Sequence, residues 1–228
     1  MQNKKQNMNP KQVEQQKQPA KNKPNLKSKA LLQKLIVTFL IWPFYNIFFR
    51  FKVSGKSNIP QKGPFIIVSN HFSYFDPTIL ALAVRHPIAY IAKKELFEIH
   101  GKLFSNLIRL LGTIPINRTK PGPEFMRQLK NAFNEGWAAG VFIEGTRNKE
   151  RQPLKKLESG AAFISRVFKN VPVLPIGIKG SDKWFSEIEV SIGEVIDFDK
   201  EISLEENTLK YGKAIAELSG LGIDLATN

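Results

Sequence analysis

The sequence predicts an α/β fold in which a mixed, largely parallel central sheet is flanked by helices and preceded by a hydrophobic helical element. From residue 51 onward, short apolar runs of strand length alternate with stretches of helical periodicity, which is the pattern of α/β domains. A chain of 228 residues is long enough for one domain with a sizeable core and an appendage. Hydrophobic residues make up 42% of it, an ordinary share for a globular protein, so such a core can be filled.

The strands and helices of the domain are predicted in order from local patterns. The first strand covers residues 64–69, and the next helix covers 76–85, with Asp76 at its N-cap and Pro77 as its first helical residue. A later helix over 101–111 carries apolar residues at helical spacing. The remaining predicted elements are strands over 88–92, 113–116, 140–143, 171–178 and 189–196, and helices over 123–136, 157–168 and 205–218.

Residues 1–29 form a strongly basic segment. They contain eight Lys and one acid, Glu14, so half of the net charge of +14 lies there. Gln, Asn and Pro supply most of the rest, and such a segment cannot bury enough apolar surface to order itself. We expect a disordered tail. Alternatively its Lys residues tether the chain to anionic lipid, each adding about 1 kcal/mol when held near the surface.

A hydrophobic element is predicted over residues 30–50. Its apolar run, Leu35–Phe49, has fifteen residues without a charge and is interrupted by Pro43. A helix of that length rises about 22 Å, which is short of a hydrocarbon core of roughly 30 Å. Aromatic residues are concentrated at 39–45, as is typical of the headgroup boundary. The pattern favours an interfacial or re-entrant membrane anchor on the cytoplasmic face over a span, with a buried core helix as the alternative.

Composition restricts the partners and the chemistry. The net charge of +14 implies an anionic partner, which is nucleic acid, an anionic bilayer or a phosphorylated substrate. The absence of Cys excludes disulfides, thiolate zinc sites and a Cys nucleophile, and it fits a reducing cytoplasmic face. Neither a Gly-x-Ser-x-Gly elbow nor a Gly-x-Gly-x-x-Gly fingerprint occurs. With His only at positions 71, 86 and 100, no paired spacing indicates a metal site.

His71 and Asp76 are candidate catalytic residues. Both follow the strand predicted over 64–69, at the sheet end where α/β proteins place their sites. An Asp carboxylate that accepts the imidazole Nδ1–H leaves Nε2 free to take a proton. The spacing alone leaves an alternative open, because Asp76 before Pro77 is also explained as a helix cap.

Arg118 and Arg147 are candidate phosphate ligands. Each follows a predicted strand, so both guanidinium groups are expected in the same crevice at the strand ends. Two such groups hold a phosphate dianion through bidentate hydrogen bonds. The alternative is a surface ion pair of Arg147 with Glu144, and Gly145 and Thr146 fit a tight turn in either case.

Four sequence blocks carry a resemblance to a known family. Asn70–Pro77 (NHFSYFDP) resembles the first signature, Asn-His-x-x-x-x-Asp, of the glycerolipid acyltransferases of the lysophosphatidate acyltransferase type. Gly112–Arg118, Val141–Arg147 and Val171–Ile176 resemble the second, third and fourth blocks of that family, in the same order. The similarity covers roughly residues 51 to 200. One His-x-x-x-x-Asp is a weak signal, whereas four blocks in order are specific.

The resemblance implies a role for each matching residue. His71 is implied as the base that deprotonates an acceptor hydroxyl as it attacks a thioester carbonyl, and Asp76 as the group that orients and stabilises the imidazolium. The second and third blocks are implied to hold the glycerol-phosphate of the acceptor, and the fourth is associated with catalysis and the acyl donor. The substrate-binding residues implied in this way are Arg118, Glu144, Gly145, Thr146, Arg147 and Pro175.

The sequence departs from the family pattern at two places. Ile143 stands where the third block usually has Pro, which removes no polar group, so we expect little loss. Members usually show a Lys-Gly pair at the start of the next helix, whereas here Lys155 and Lys156 are separated from Gly160 by three residues. A phosphate-binding role is therefore not assigned to either Lys.

The resemblance implies a 1-acylglycerol-3-phosphate acyltransferase that makes phosphatidate from lysophosphatidate. The acyl donor is expected to be acyl-CoA or an acyl carrier protein thioester, with no metal or other cofactor. Glycerol-3-phosphate or another lysophospholipid is the alternative acceptor, because the two Arg residues serve any acceptor with a nearby phosphate. A basic protein that binds membranes or nucleic acid without catalysis is the alternative of another class. No nucleic-acid partner is expected, because the aromatic residues are concentrated in one apolar run and are not interleaved with Lys and Arg.

Overall fold

The computed structural model describes residues 25–99, 101–154, 156–169, 171–181 and 185–224. Most of the predicted basic tail, residues 1–24, lies outside the described residues. A helix begins at Leu26, four residues before the predicted boundary at residue 30. The Asn25 side chain accepts a hydrogen bond from Lys27 N at 3.2 Å, and this cap explains where the helix starts.

One continuous helix precedes the domain, and we call it the N-terminal helix (Leu26–Phe48). It consists of α1 (Leu26–Ile36), a π-helical turn (Val37–Ile41) and α2 (Trp42–Phe48). The predicted interruption at Pro43 is wrong. Pro43 lacks an N–H, and in a regular α-helix its ring would clash with the carbonyl four residues earlier. The π-helical turn before Pro43 is wider and accommodates it. With 23 residues, the N-terminal helix is long and apolar enough to cross a membrane, although the apolar run alone is not.

Within the described residues, a seven-stranded sheet forms the centre of the domain. Its strands are β1 (Arg50–Ser54), β2 (Ile66–Ser69), β3 (Ile88–Lys93), β4 (Ile114–Ile116), β5 (Ala138–Phe142), β6 (Val173–Lys179) and β7 (Glu187–Ile192). They lie in the order β1-β7-β6-β2-β5-β3-β4, and the neighbours are parallel except for β6 and β7. The prediction of a mixed, largely parallel sheet is confirmed.

Helices cover both faces of this sheet. They are α3 (Asp76–Val84), α4 (Leu96–Ile99), α5 (Gly101–Leu110), α6 (Pro123–Asn134), α7 (Gly160–Val167) and α8 (Leu204–Ser219). One buried cluster includes Leu129 of α6, Ala162 of α7 and Tyr211 of α8. A second cluster includes Tyr45 of α2 and Ile79 of α3. The core is therefore divided by the sheet into two layers.

Two short elements, β1 and α4, are absent from the sequence-based prediction. Burial along β1 alternates between exposed and half-buried residues, so no apolar run marks it. Its pairing with β7 defines it, with Arg50 opposite Glu187 and an ion pair of 2.8 Å between Lys52 and Glu187. That partner strand lies more than 130 residues away in the chain, and a local pattern does not show such a contact.

Parallel pairing brings three strand ends to one edge of the sheet. β2 ends at Ser69, two residues before His71, and its neighbour β5 ends at Phe142, two residues before Glu144. β4 ends at Ile116, two residues before Arg118. The polar residues that the sequence singled out therefore follow strands that point in the same direction.

Candidate active site

Asn70 connects the loop after β2 to the sheet. Its Nδ2 donates to Ile178 O at 2.9 Å, and its Oδ1 accepts from Ile178 N at 2.8 Å. The side-chain amide thus continues the β2–β6 pairing by one residue, and Asn70 is fully buried. This holds the backbone directly before His71 in place. The sequence reasoning assigned no role to Asn70, although its position beside His71 in the first block was the available signal.

The carboxylate of Asp76 lies against the loop that carries His71. Its Oδ2 accepts from His71 Nδ1 at 2.7 Å, from Phe72 N at 2.7 Å and from Ser73 N at 2.8 Å. Asp76 is fully buried, and its Oδ1 has no hydrogen-bond partner among the described residues. Three converging donors therefore fix one carboxylate oxygen beside the imidazole.

The predicted N-cap role of Asp76 is wrong. The N-cap of α3 is Phe75, without a side-chain cap, and Asp76 is the first helical residue. Its side chain accepts hydrogen bonds from residues 71–73, which precede the helix, so it satisfies none of the free N–H groups of α3. The carboxylate serves the loop and the imidazole instead of the helix.

The imidazole of His71 is held on a second side by Phe142. The two rings stack with centroids 3.9 Å apart and planes inclined by 14°. Because Nδ1 donates to the Asp76 carboxylate, Nε2 of the neutral ring carries the lone pair. Nε2 has no hydrogen-bond partner in the part of the chain that the structure describes, and the side chain is 17% exposed. The sequence reasoning missed Phe142, whose signal was its place in the third block.

Glu144 connects the third block to the backbone of His71. Its Oε1 accepts a hydrogen bond from His71 N at 3.2 Å. Burial raises the pKa of this carboxyl above its usual value, and the hydrogen bonds from His71 and Asn148 partly offset that rise. Ile143, which stands in place of the usual Pro, donates its N–H to Ser69 O at 3.0 Å, a bond that Pro cannot make. Hydrogen bonds of Ile143 and Glu144 therefore attach the third block to the end of β2 and to the loop that follows it.

Arg118 lies over the turn at Gly145. Gly145 has a φ of +66°, and a Cβ at this position would collide with Arg118 Nη1 and would lie 2.8 Å from Glu158 Cγ. Burial lowers the pKa of the Arg118 guanidinium, while the charges of Glu158 and Glu95 raise it. The residue as a whole is exposed, and an Arg guanidinium keeps its proton in proteins, so Arg118 is a cation beside this turn.

Arg147 packs on Tyr74, in the loop between His71 and Asp76. Its guanidinium carbon lies 3.6 Å from the centre of the Tyr74 ring, and Nη2 donates to the Tyr74 hydroxyl at 2.9 Å. The alternative ion pair of Arg147 with Glu144 is absent among the described side chains. Tyr74 is 68% exposed, and sequence reasoning gave it no role, because it occupies a variable position of the signature.

The remaining predicted residues lie apart from these contacts. Thr146 is exposed in the turn after Gly145. Pro175 is buried in β6 opposite Val68, and its carbonyl oxygen accepts from Gly193 N at 2.9 Å, so its ring belongs to the core. Among the two Lys residues not assigned to phosphate, Lys155 lies outside the described residues and Lys156 pairs with Glu158 at 3.2 Å. No cluster of three or more His, Asp or Glu that would hold a metal occurs in the described part.

Comparison with known proteins identifies relatives of this chain. Residues 50–179, more than half of the chain, match the family described as Acyltransferase. A 1-acyl-sn-glycerol-3-phosphate acyltransferase of Bacillus subtilis is 32% identical over 130 residues, 57% of this chain and 62% of the relative. One from Borreliella burgdorferi is 34% identical over 100 residues, 42% of this chain and 39% of the relative. The chain thus spans less than two thirds of the length of these curated relatives.

A solved structure is also similar to the whole domain. The crystal structure of the 1-acyl-sn-glycerophosphate (LPA) acyltransferase PlsC from Thermotoga maritima matches with a TM-score of 0.59 and 26% sequence identity. The match covers 87% of this chain and 81% of that chain. It therefore includes residues on both sides of the region of the family match.

Proposed function

The chain belongs to the acyltransferase family, and from this premise we propose that it transfers a fatty acyl group from a thioester to the sn-2 hydroxyl of lysophosphatidate, giving phosphatidate. The observation that carries the proposal is the His71–Asp76 pair, in which a buried carboxylate fixes Nδ1 and leaves Nε2 without a partner among the described residues. The relatives named above act on a 1-acylglycerol-3-phosphate by name, which supports the same acceptor here.

The reaction follows from this arrangement. Nε2 of His71 takes the proton of the acceptor hydroxyl while its oxygen attacks the thioester carbonyl, and Asp76 stabilises the resulting imidazolium. The C–S bond then breaks as the new C–O ester remains, and the imidazolium returns its proton to the departing thiolate. The donor is acyl-CoA or an acyl carrier protein thioester, and this chemistry uses no bound cofactor.

The acceptor phosphate is bound by Arg118 and Arg147 in this proposal. Both guanidinium groups follow strand ends at the same edge of the sheet, and neither pairs with a carboxylate within hydrogen-bond distance among the described residues. Glu144, Gly145 and Thr146 form the turn between them. Lysophosphatidate, glycerol-3-phosphate and other lysophospholipids all present a phosphate to such a pair, so the acceptor must be tested directly.

One assay tests the proposed function. The purified chain is given lysophosphatidate, glycerol-3-phosphate or lysophosphatidylcholine, each with acyl-CoA and with acyl carrier protein thioester. We expect the highest kcat/KM with lysophosphatidate, and the more efficient donor identifies the co-substrate. Preferred acylation of another acceptor would replace this assignment, and absence of transfer to all three would remove it.

Replacing Arg147 by Ala is expected to raise the KM for lysophosphatidate by about 10–100-fold with little change in kcat. A hydrogen bond to a charged group contributes about 1.5–3 kcal/mol, and the phosphate is bound alike in the ground and transition states. Initial-rate kinetics measure both constants. Arg127→Ala is the matched control, because Arg127 pairs with Glu124 on α6 at 2.8 Å and is not part of the site. An unchanged KM for Arg147→Ala would argue against phosphate binding by this residue.

Replacing Gly145 by Ala is expected to raise the same KM, because the new Cβ displaces the Arg118 guanidinium. The positive φ also makes any side chain costly, by about 1–2 kcal/mol of stability. Gly136→Ala separates the two effects, since Gly136 has a φ of +76° and no atom within 4 Å of the added Cβ. Denaturant unfolding should show a loss for both variants, and the KM should rise only for Gly145→Ala. Equal kinetics for the two would contradict the placement of Arg118 at the phosphate.

We propose that the protein is peripheral or monotopic, on the cytoplasmic face of a membrane. Polar residues of the N-terminal helix face the domain: Lys29 Nζ donates to Arg109 O at 2.8 Å, and Gln33 Oε1 accepts from Ile88 N at 3.0 Å. Large apolar residues point outward, with Phe39 75% and Ile47 73% exposed. Water disfavours this arrangement, whereas an acyl-chain region favours it.

The contacts of the N-terminal helix support an in-plane anchor over a span. They extend from Lys29 to Tyr45, whose hydroxyl lies 2.8 Å from Thr78 Oγ1. This distance is about 24 Å along the helix, so the helix lies along the domain for most of its length. The neighbouring helix α5 also exposes apolar residues, including Leu103 at 85% and Leu107 at 48%. The Arg109 carbonyl of α5 and the Leu111 carbonyl directly after it accept from the N-terminal helix, so the two exposed apolar faces lie on neighbouring helices.

A further inference from the structure

A cavity of about 580 Å³ lies between the N-terminal helix and the C-terminal end of α3. Its size is in the range of roughly 300–1,000 Å³ that is usual for ligand sites. The cavity is bordered by Arg85, and the catalytic candidate Asp76 begins the same helix nine residues earlier. At 1.5 Å per residue these two positions are about 13 Å apart. The cavity is therefore at the opposite end of α3 from His71.

The walls of this cavity are mainly apolar. Leu31, Val37 and Trp42 contribute from the N-terminal helix, and Leu82 contributes from α3. Leu31 and Trp42 are 58% and 46% exposed, so the apolar wall continues onto the face that we assign to the membrane. Such a wall suits a hydrocarbon chain that enters from the bilayer.

Two cations border the same cavity, Lys34 on α1 and Arg85 at the end of α3. Neither side chain has a hydrogen bond or an ion pair with any described residue, and no carboxylate residue lines the cavity. Arg85 alone is explained as a cation at a helix C-terminus, where the helix dipole favours it. That explanation does not extend to Lys34, whose helix continues beyond it to Phe48. Two unpaired cations on separate elements are complementary to one anionic group.

An acyl-chain channel for the substrate would not need these cations. The chain of a bound substrate ends in a methyl group, which gains nothing from Lys and Arg, whereas an anionic headgroup gains a charge-assisted hydrogen bond from each. The charges therefore favour a headgroup at this end of α3, with a hydrocarbon chain beside it.

We infer that this cavity binds one anionic phospholipid of the membrane as a non-substrate ligand. Its phosphate lies between Lys34 and Arg85, and an acyl chain lies along Leu31, Val37 and Trp42. The bound lipid fills the space between the N-terminal helix and α3, and it fixes the helix against the domain. Binding does not use His71 or Asp76, so it is measured independently of acyl transfer.

The experiment uses the purified full chain and short-chain lipids below their micelle concentration. Isothermal titration with dihexanoyl-phosphatidylglycerol is expected to give one site per chain, bound at least 10-fold more tightly than dihexanoyl-phosphatidylcholine or inorganic phosphate. The double variant Lys34→Glu/Arg85→Glu is expected to lose at least 10-fold in this affinity. Lys130→Glu/Lys213→Glu is the matched control, with the same change of charge at exposed positions of α6 and α8, and it should bind normally.

A second variant tests the location and guards against misfolding. Thr38 lines the cavity and is exposed, so Thr38→Trp fills it without disturbing the core. This variant should lose phosphatidylglycerol binding and keep its kcat and acyl-chain preference. Unchanged lipid binding in either cavity variant would overturn the inference, as would equal affinity for the two lipids. Competition between phosphatidylglycerol and lysophosphatidate, or an altered chain preference in Thr38→Trp, would assign the cavity to the substrate instead.

Discussion

Replacement of His71 by Ala is expected to lower kcat for acyl transfer by about 10²–10⁴-fold, the usual contribution of a general base. The imidazole is the group whose Nε2 is free to take the hydroxyl proton, and its Nδ1 is held by Asp76 at 2.7 Å. KM for the phosphate-bearing acceptor should change much less, because Arg118 and Arg147 remain. Steady-state kinetics with lysophosphatidate and the better thioester donor measure the effect.

A stability measurement is the control for the His71→Ala variant. His71 is 17% exposed and stacks on Phe142, so its removal costs some packing, and thermal unfolding must show that the variant is folded at the assay temperature. A folded His71→Ala variant that transfers acyl groups at a near-normal rate would refute general-base catalysis by His71. A loss that appears only in KM would assign His71 to binding.

Replacement of Asp76 by Asn is expected to lower kcat by a similar factor and also to destabilise the fold by about 1–3 kcal/mol. The carboxylate charge that stabilises the imidazolium is lost. With the amide oxygen in the place of Oδ2, the new NH₂ replaces the buried Oδ1, which has no described partner. With the amide reversed, the NH₂ faces three donors, His71 Nδ1, Phe72 N and Ser73 N. Neither orientation satisfies every group.

Asp199→Asn is the matched control for this change. The Asp199 carboxylate, before α8, accepts a hydrogen bond from Glu201 N at 3.0 Å and makes no contact with the site. The activity of the Asp199→Asn variant should therefore be unchanged. Denaturant unfolding and kinetics are measured on both variants. If Asp76→Asn keeps both its activity and its stability, the buried carboxylate has neither role. A stability loss with normal kcat would reduce Asp76 to a structural residue of the loop.

The site was predictable from the sequence where its signals were local. The spacing of His71 and Asp76 after one strand is compatible with the contact that the structure has at 2.7 Å. The same spacing also allowed Asp76 to cap the helix. The direction of the Asp76 side chain decides between the cap and the contact with His71, and the spacing does not show that direction. Arg147 was similarly placed at a strand end, but its partner, Tyr74, is 73 residues away and was not predictable from either segment alone.

For the fold class and the N-terminal helix, too, local patterns predicted some features and tertiary contacts decided others. Alternating apolar runs and helical periodicity predicted the α/β domain, because burial imposes those periods on each element separately. The edge strand β1 was missed, since its pairing with β7 and not its own composition defines it. Pro43 predicted an interruption that does not occur, because a π-helical turn before it relieves the clash.

The sequence by itself therefore determined the α/β class, the strand ends and the residues of the four motif blocks, since periodicity and spacing act within a few residues. Only the tertiary structure decided which partner each polar group takes. It directed the Asp76 carboxylate to the loop, placed Arg147 on Tyr74 and turned Gln33 of the N-terminal helix toward the domain. The contacts of Arg147 and Gln33 join residues that are 73 and 55 positions apart, and strand pairing and helix packing bring those residues together. The Asp76 contacts are local, and the path of the loop over residues 71–73 decides them.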